Sequence, residues 1–100
     1  MSMETIILGE ARIIMLKALQ KEVNQSITSE AMRRYLLTSW LIDKPREWVE
    51  QQFLYLKDMG AVDIHPGGST KIARLTERGA LHLEGLITIP GVQPASLSGA

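Results

Sequence analysis

The sequence predicts a mainly α fold with one β-hairpin, the elements following in the order α-α-α-β-β-α. Three segments carry apolar residues at the spacing of amphipathic helices. Gly60 then precedes two segments of alternating polarity that flank a Pro-Gly-Gly-Ser tip. The sequence Leu-Thr-Glu-Arg-Gly at residues 75–79 opens a fourth helix. These observations predict one domain at residues 1–92 and a disordered C-terminal tail at residues 93–100.

The first predicted helix runs from about Glu4 to Glu22. Gly9 weakens its first turn, so the regular helix is expected to begin near that residue. A second helix follows Thr28, whose hydroxyl suits an N-cap, and runs to about Thr38. The inward stripe of the first helix comprises Ile7, Ala11, Ile14, Met15, Ala18 and Leu19.

The third predicted helix occupies residues 43–59. Asp43 is expected to cap it, and Pro45 suits its first turn, where the missing N–H group of a proline costs nothing. The preceding apolar turn, residues 38–42, is expected to pack against the core. The inward stripe of this helix comprises Val49, Phe53, Leu56 and Met59.

The hairpin, or wing, is predicted at residues 61–75, with strands at Ala61–His65 and Lys71–Leu75. Val62 and Ile64 alternate with polar residues, as expected of a half-exposed strand. The glycines of the tip permit the positive φ angles that a tight turn needs.

The fourth predicted helix begins after Thr76, a second candidate N-cap, and ends near Gly85. Gly79 in its first turn indicates a close approach of two backbone segments. The apolar segment Leu86–Val92 follows this helix and is expected to dock as an extended arm.

Composition excludes several classes of protein. The chain has 100 residues, no cysteine and a formal net charge of zero. The lack of cysteine excludes disulfides and thiolate metal sites and fits a reducing cytoplasm. No apolar segment approaches the roughly 20 residues that a membrane span needs. Zero net charge removes the compositional argument for nucleic-acid binding, although a local basic patch suffices for it.

No constellation of catalytic residues is visible, so an enzyme is not expected. His65 and His82 are the two histidines and no cysteine joins them, so no metal site is predicted. Gly67 and Gly68 lie at the hairpin tip and belong to no phosphate-binding motif. No cofactor is expected either.

Three helices followed by a hairpin and a helix are the ground plan of a winged helix-turn-helix domain. The segment Gly60–Gly79 resembles the wing region of winged-helix regulators, with its strand ending in leucine-threonine. Further elements are Glu10-Ala11-Arg12 with Leu16 and Leu19, residues 56–62, residues 75–79, and Ile89-Pro90-Gly91-Val92 followed by Pro94. With these elements, residues 8–94 resemble a family of small winged-helix proteins from Mu-like bacteriophages and prophages. Gln93 departs from that family, in which a basic residue is expected between Val92 and Pro94.

The resemblance implies a DNA-binding regulator of the ArsR-like class. In a winged helix the third helix enters the major groove, and the wing contacts the backbone or minor groove. Here these elements are the helix at 43–59 and the wing at 61–75. Among the candidates, Arg46 suits guanine or phosphate, and Gln51 suits adenine. The predicted DNA-binding residues are Arg33, Arg34, Lys44, Arg46, Gln51, Lys57, Ser69, Thr70, Lys71 and Arg74.

Each of these assignments has an alternative. The cationic face of the third helix is interrupted by Glu47, Glu50 and Asp58. This helix is therefore equally well interpreted as a solvent-exposed helix of mixed charge that contacts no DNA. The wing cations also serve solubility and protection of a strand edge. Trp48 and Tyr55, seven residues apart on the third helix, either mark a protein interface or widen the core face.

The predicted function is regulation of phage or prophage transcription by a homodimer that binds double-stranded DNA in the cytoplasm of a bacterial host cell. The dimer is predicted from apolar residues at the two ends of the domain, Met3, Ile6, Ile7 and Leu86–Val92. The alternative is that these residues complete the core of a monomer. The alternative function is a winged-helix module for protein–protein interaction in phage assembly or DNA packaging, with a phage protein as partner. Zero net charge favours this alternative.

Overall fold

The computed structural model describes residues 2–97, which form an α/β domain in the order α-β-α-α-β-β-α. This order is consistent with a winged-helix-like layout. No helix among these residues is long and apolar enough to cross a membrane. The elements are α1 (Met3–Lys21), β1 (Ser26–Thr28), α2 (Ser29–Trp40), α3 (Arg46–Asp58), β2 (Val62–Gly67), β3 (Thr70–Leu75) and α4 (Glu77–Leu83), followed by a 3-10 turn at Ala95–Leu97.

The three strands form one antiparallel sheet in the order β1-β3-β2. The predicted hairpin is confirmed, and the pair Gly67↔Thr70 closes its two-residue loop. Of the two loop residues only Gly68 has a positive φ, 71°, as a type II′ loop requires. The sequence missed β1, which pairs with the other edge of β3 from Ser26↔Arg74 to Thr28↔Ile72.

Helix α1 forms the centre of the core. The four consecutive residues 13–16 are each at most 1% exposed, and four successive side chains point all the way around a helix. The helix begins at Met3, so the expectation that Gly9 delays its start was wrong. Gly9 instead lies against the C-terminal segment, where its carbonyl accepts from the N–H of Gln93 at 3.2 Å.

The cap predicted for α2 is confirmed, because the Oγ1 of Thr28 accepts from the N–H of Ala31 at 3.1 Å. The cap predicted for α3 was wrong. Helix α3 starts at Arg46 after Pro45, and no side chain caps it. A proline disfavours helical geometry in the residue before it, so the helix cannot extend back to Asp43. The predicted inward stripe of α3 is correct: Val49, Phe53 and Leu56 are fully buried and Met59 is half-buried.

The expectation that the whole α2–α3 turn packs on the core was wrong for Leu41, which is 85% exposed. Helix α2 runs on to Trp40, and Leu41 ends it in the left-handed conformation. Trp40 and Ile42 on either side are half-buried against the core.

Helix α4 and the arm close the core. The Oγ1 of Thr76 accepts from the N–H of Gly79 at 3.2 Å, as predicted for an N-cap. The close approach at Gly79 is confirmed, since an added Cβ would collide with the carbonyl oxygen of Ala61. In the arm, Ile89 and Val92 are buried in the core of this chain. Of the tail predicted to be disordered, residues 98–100 lie outside the described residues.

Candidate nucleic-acid interface

The outer side of α3 and the inner side of the wing border an open groove of about 510 Å³. The α3 residues that line it follow one helical stripe, three or four residues apart. Ile64 pairs with Ala73 across the hairpin, and Lys71 lies two residues from Ala73 on the same face of the sheet. The lining residues are Glu47, Glu50, Gln51, Leu54, Lys57, Ile64 and Lys71.

Three of the predicted DNA-binding residues come together in this groove with polar ends exposed. Gln51, Lys57 and Lys71 are exposed, and their side chains have no hydrogen bond or ion pair within residues 2–97. Ser69 is exposed at the hairpin tip. Two free ammonium groups edge this groove, and they offer positive charge locally to an anionic ligand, although the carboxylates of Glu47 and Glu50 leave the lining formally neutral.

Two predicted DNA-binding arginines of α2 share one carboxylate of the same helix. The guanidinium of Arg33 binds Glu30 in a bidentate manner, with Nε at 3.0 Å and Nη2 at 2.6 Å. The Nε of Arg34 lies 3.1 Å from the same carboxylate. The hydrogen bond from Arg33 is the largest influence that lowers the pKa of Glu30 to about 2, and the same bond raises the pKa of Arg33. This arrangement leaves one net positive charge from three charged groups.

The first cation of α3 and the lysine just before that helix also have intramolecular partners. The Nε of Arg46 lies 3.6 Å from Oε2 of Glu50, one helical turn along α3. The ammonium of Lys44 lies 5.4 Å from the centre of the Trp48 ring, within the range of a cation–π contact. Both cations are half-buried, so neither is a freely projecting contact residue.

A buried hydroxyl links α2, α3 and the wing. Ser29 is 0% exposed, and its Oγ lies 2.6 Å from Oε2 of Glu50. A carboxylate only accepts, so the Ser29 hydroxyl donates to Glu50, and the short contact with Thr70 must be donated by the Thr70 hydroxyl. The Ser29 oxygen also accepts from the N–H of Lys71 at 3.1 Å. Thr70 is therefore a structural residue at the loop end of the wing, where it holds the hairpin to α2.

Arg74 lies on the opposite face of the sheet. It is exposed, whereas its neighbours Ala73 and Leu75 are buried on the α3 side. Successive side chains of a strand point to opposite faces, so Arg74 points away from α3, beside its cross-strand partner Asp63. Arg74 and Lys71 therefore do not form one cationic surface.

Tyr55 belongs to a cluster that holds the arm. The guanidinium of Arg12 stacks 3.7 Å from the ring centre of Tyr55 and donates to the carbonyl of Gly91 at 3.0 Å. The Tyr55 hydroxyl donates to the carbonyl of Pro90 at 2.6 Å. Partial burial lowers the pKa of Arg12. Trp48 and Tyr55 therefore have different surroundings and do not form one shared patch.

His82 fixes the other side of the arm. It is 2% exposed, and its Nδ1 accepts from the N–H of Ile89 at 3.1 Å. Its Nε2 lies 2.8 Å from the carbonyl oxygen of Gln93 and must donate to it. This arrangement requires the neutral tautomer protonated on Nε2. His65 lies apart on β2, and residues 2–97 contain no cluster of three or more metal-ligating side chains.

Sequence reasoning missed the apolar part of the groove, although it placed the acidic Glu47 and Glu50 on the outer face of α3. Leu54 is 52% exposed, and its place off the inward stripe of α3 was a readable signal. The spacing of Glu30 from Arg33 and Arg34, three and four residues, was likewise a readable signal of ion pairs that was missed. The link from Ser29 to Thr70 spans 41 residues and left no pattern in the sequence.

The chain matches no protein-family model, no curated protein and no solved structure.

Proposed function

We propose that this protein is a winged-helix domain that binds double-stranded DNA in the groove between α3 and the wing, and that it regulates phage or prophage transcription. The observation that carries the proposal is the position of Gln51, Lys57 and Lys71, free and exposed around one groove. The sheet order β1-β3-β2, with the hairpin beside α3, supports the winged-helix assignment. The resemblance of residues 8–94 to proteins of Mu-like phages supports the setting.

The groove suggests a division of roles. Gln51 projects from the middle of α3 and suits bidentate recognition of adenine. Leu54, one turn further along, suits contact with a thymine methyl group. Lys57, Lys71 and the hydroxyl of Ser69 suit phosphate oxygens on either side. Few phosphates are neutralised in this arrangement, so we expect modest affinity from one copy and a shallow salt dependence.

Fluorescence anisotropy with duplex DNA tests the proposal. The wild-type protein should bind more weakly as salt rises from about 50 to about 200 mM. The double variant K57E/K71E should lose most of the affinity, and neutral K57Q/K71Q should lower the salt slope by about 2. Arg74→Glu makes a matched charge reversal on the opposite sheet face and should change binding little. Absence of salt-dependent binding, or equal losses in K57E/K71E and R74E, contradicts the proposal.

A second candidate function is supported by one observation. Leu54 is an exposed apolar side chain between acidic Glu47 and basic Lys57, a mixture that also suits a protein partner in phage assembly or DNA packaging. In that case a pull-down with the wild-type protein should capture a phage protein, and the same pull-down with Leu54→Asp should not. Loss of that partner, together with no measurable DNA affinity, would favour this candidate over DNA binding.

A further inference from the structure

Leu41 combines two unfavourable features. Its backbone is left-handed, with φ 55° and ψ 30°, and its side chain is 85% exposed. The conformation itself has a purpose, because it turns the chain so that the Ile42 N–H donates to the carbonyl of Leu36 at 3.0 Å and ends α2. Glycine or asparagine adopts this conformation with less strain and exposes less apolar surface. The backbone role therefore explains the turn but not the leucine.

A cleft lies directly beside this side chain. It has a volume of about 210 Å³ and separates the first half of α1 from the α2–α3 turn. Met3, 69% exposed, lies one helical turn before Ile7 and extends the apolar surface along α1. The cleft is lined by Ile7, Glu10, Leu41, Ile42, Asp43 and Lys44. An apolar centre with a charged rim is the usual composition of a protein interface.

We propose that a second copy of this chain covers this surface, with each Leu41 inserted into the cleft of the other copy. One patch holds both the projecting side chain and the cleft that receives it, which a two-fold interface requires. Its rim carries the carboxylates of Glu10 and Asp43 and the ammonium of Lys44, so two copies related by a two-fold axis can bring opposite charges together. Zero net charge removes long-range repulsion between the copies.

This surface shares Met3 and Ile7 with the dimer surface expected from the sequence, but it replaces the arm with the α2–α3 turn. That expectation relied partly on Leu86–Val92, but Ile89 and Val92 are buried within their own chain. The cleft also shares no lining residue with the groove between α3 and the wing. Self-association and DNA binding can therefore be tested separately, and the failure of one leaves the other in place.

Sedimentation equilibrium over a concentration series tests the proposal. Leu41→Asn removes the projecting apolar side chain and introduces a residue that tolerates the left-handed conformation. The wild type should form dimers, and L41N should raise the dimer dissociation constant about tenfold or more. Val23→Asn is the matched control, because Val23 is 97% exposed in a turn away from the cleft. Circular dichroism should show that both variants remain folded.

The possible outcomes separate clearly. Dimers that weaken in L41N and persist in V23N support the proposal, and Glu10→Lys should then weaken them too. A wild type that stays monomeric throughout the series overturns it. So do dimers that survive L41N, dimers that weaken equally in both variants, and an open-ended series of oligomers in place of a dimer.

Discussion

The Oγ of Ser29 lies 2.6 Å from Oε2 of Glu50, which connects the first turn of α2 to the groove side of α3. The same Oγ accepts from the backbone N–H of Lys71 at 3.1 Å, so it also holds the start of β3. One buried hydroxyl thus ties the loop end of the wing to α3. We expect the width of the groove, and with it the distance between Lys57 and Lys71, to depend on this link.

Ser29→Ala should lower the free energy of unfolding by about 1–3 kcal/mol, because it leaves several buried polar groups without their partner. Urea unfolding measures this change. Ser39→Ala is the matched control on an exposed position of the same helix and should change stability by less than about 0.5 kcal/mol. Equal effects of the two substitutions would show that the Ser29 network contributes nothing.

Gly79→Ala should destabilise the domain by about 1–3 kcal/mol or more, because the new Cβ would collide with the carbonyl oxygen of Ala61 and lie 2.7 Å from Cδ1 of Leu75. Gly85→Ala is the comparison, since Gly85 has a φ of 79° but open space around it. Its expected cost is about 1 kcal/mol of backbone strain. Thermal unfolding that ranks G85A as the more damaging change contradicts the close approach at Gly79.

Glu30 should make the free energy of unfolding depend on pH in the acid range. Its pKa falls from an ordinary value of 4.5 to about 2 in the folded protein, mainly through the hydrogen bond from Arg33. A depressed carboxylate pKa stabilises the fold above pH 4.5, and this contribution is lost as the pH falls through about 2. The free energy of unfolding should therefore decline less steeply over this window in Glu30→Gln than in the wild type. Identical pH profiles for the two proteins would exclude the ion-paired cluster.

His82 should carry its proton on Nε2 in the folded protein, a state that nitrogen NMR of the ring detects. His82→Ala should accelerate hydrogen exchange at the Ile89 amide and lower stability by about 1–3 kcal/mol, since it leaves the Ile89 N–H and the Gln93 carbonyl without partners. His65→Ala on the exposed side of β2 should leave exchange at Ile89 unchanged. A ring protonated on Nδ1 contradicts the bonding described for the arm.

Local patterns predicted the regular elements of this fold. Helical spacing located α1 and α3, and the hydroxyls of Thr28 and Thr76 located two caps that the structure confirms. The close approach at Gly79 also followed from the place of a glycine in the first turn of a helix. The helical spacing and the caps were readable because each depends on residues within one or two helical turns.

Features that depend on distant residues were not predicted. Strand β1 has three residues, too few to show an alternating pattern, and it exists only because β3 offers a free edge. Arg74 was grouped with Lys71, although their spacing of three along a strand places them on opposite faces. The ion pairs of Arg33 and Arg34 with Glu30 are local, but they were also not predicted, and they reduce the free positive charge of the candidate site.

The most direct test of DNA binding in the groove is a titration of nitrogen-15-labelled protein with duplex DNA, followed by amide NMR. The account predicts that the shifted amides cluster on the groove side of α3, residues 47–57, and on the wing from Ile64 to Lys71. Amides of α1 and α4 should stay in place, and rising salt should reverse the shifts. Shifts centred on α1 and α4, or no shifts at any DNA concentration, would contradict the account.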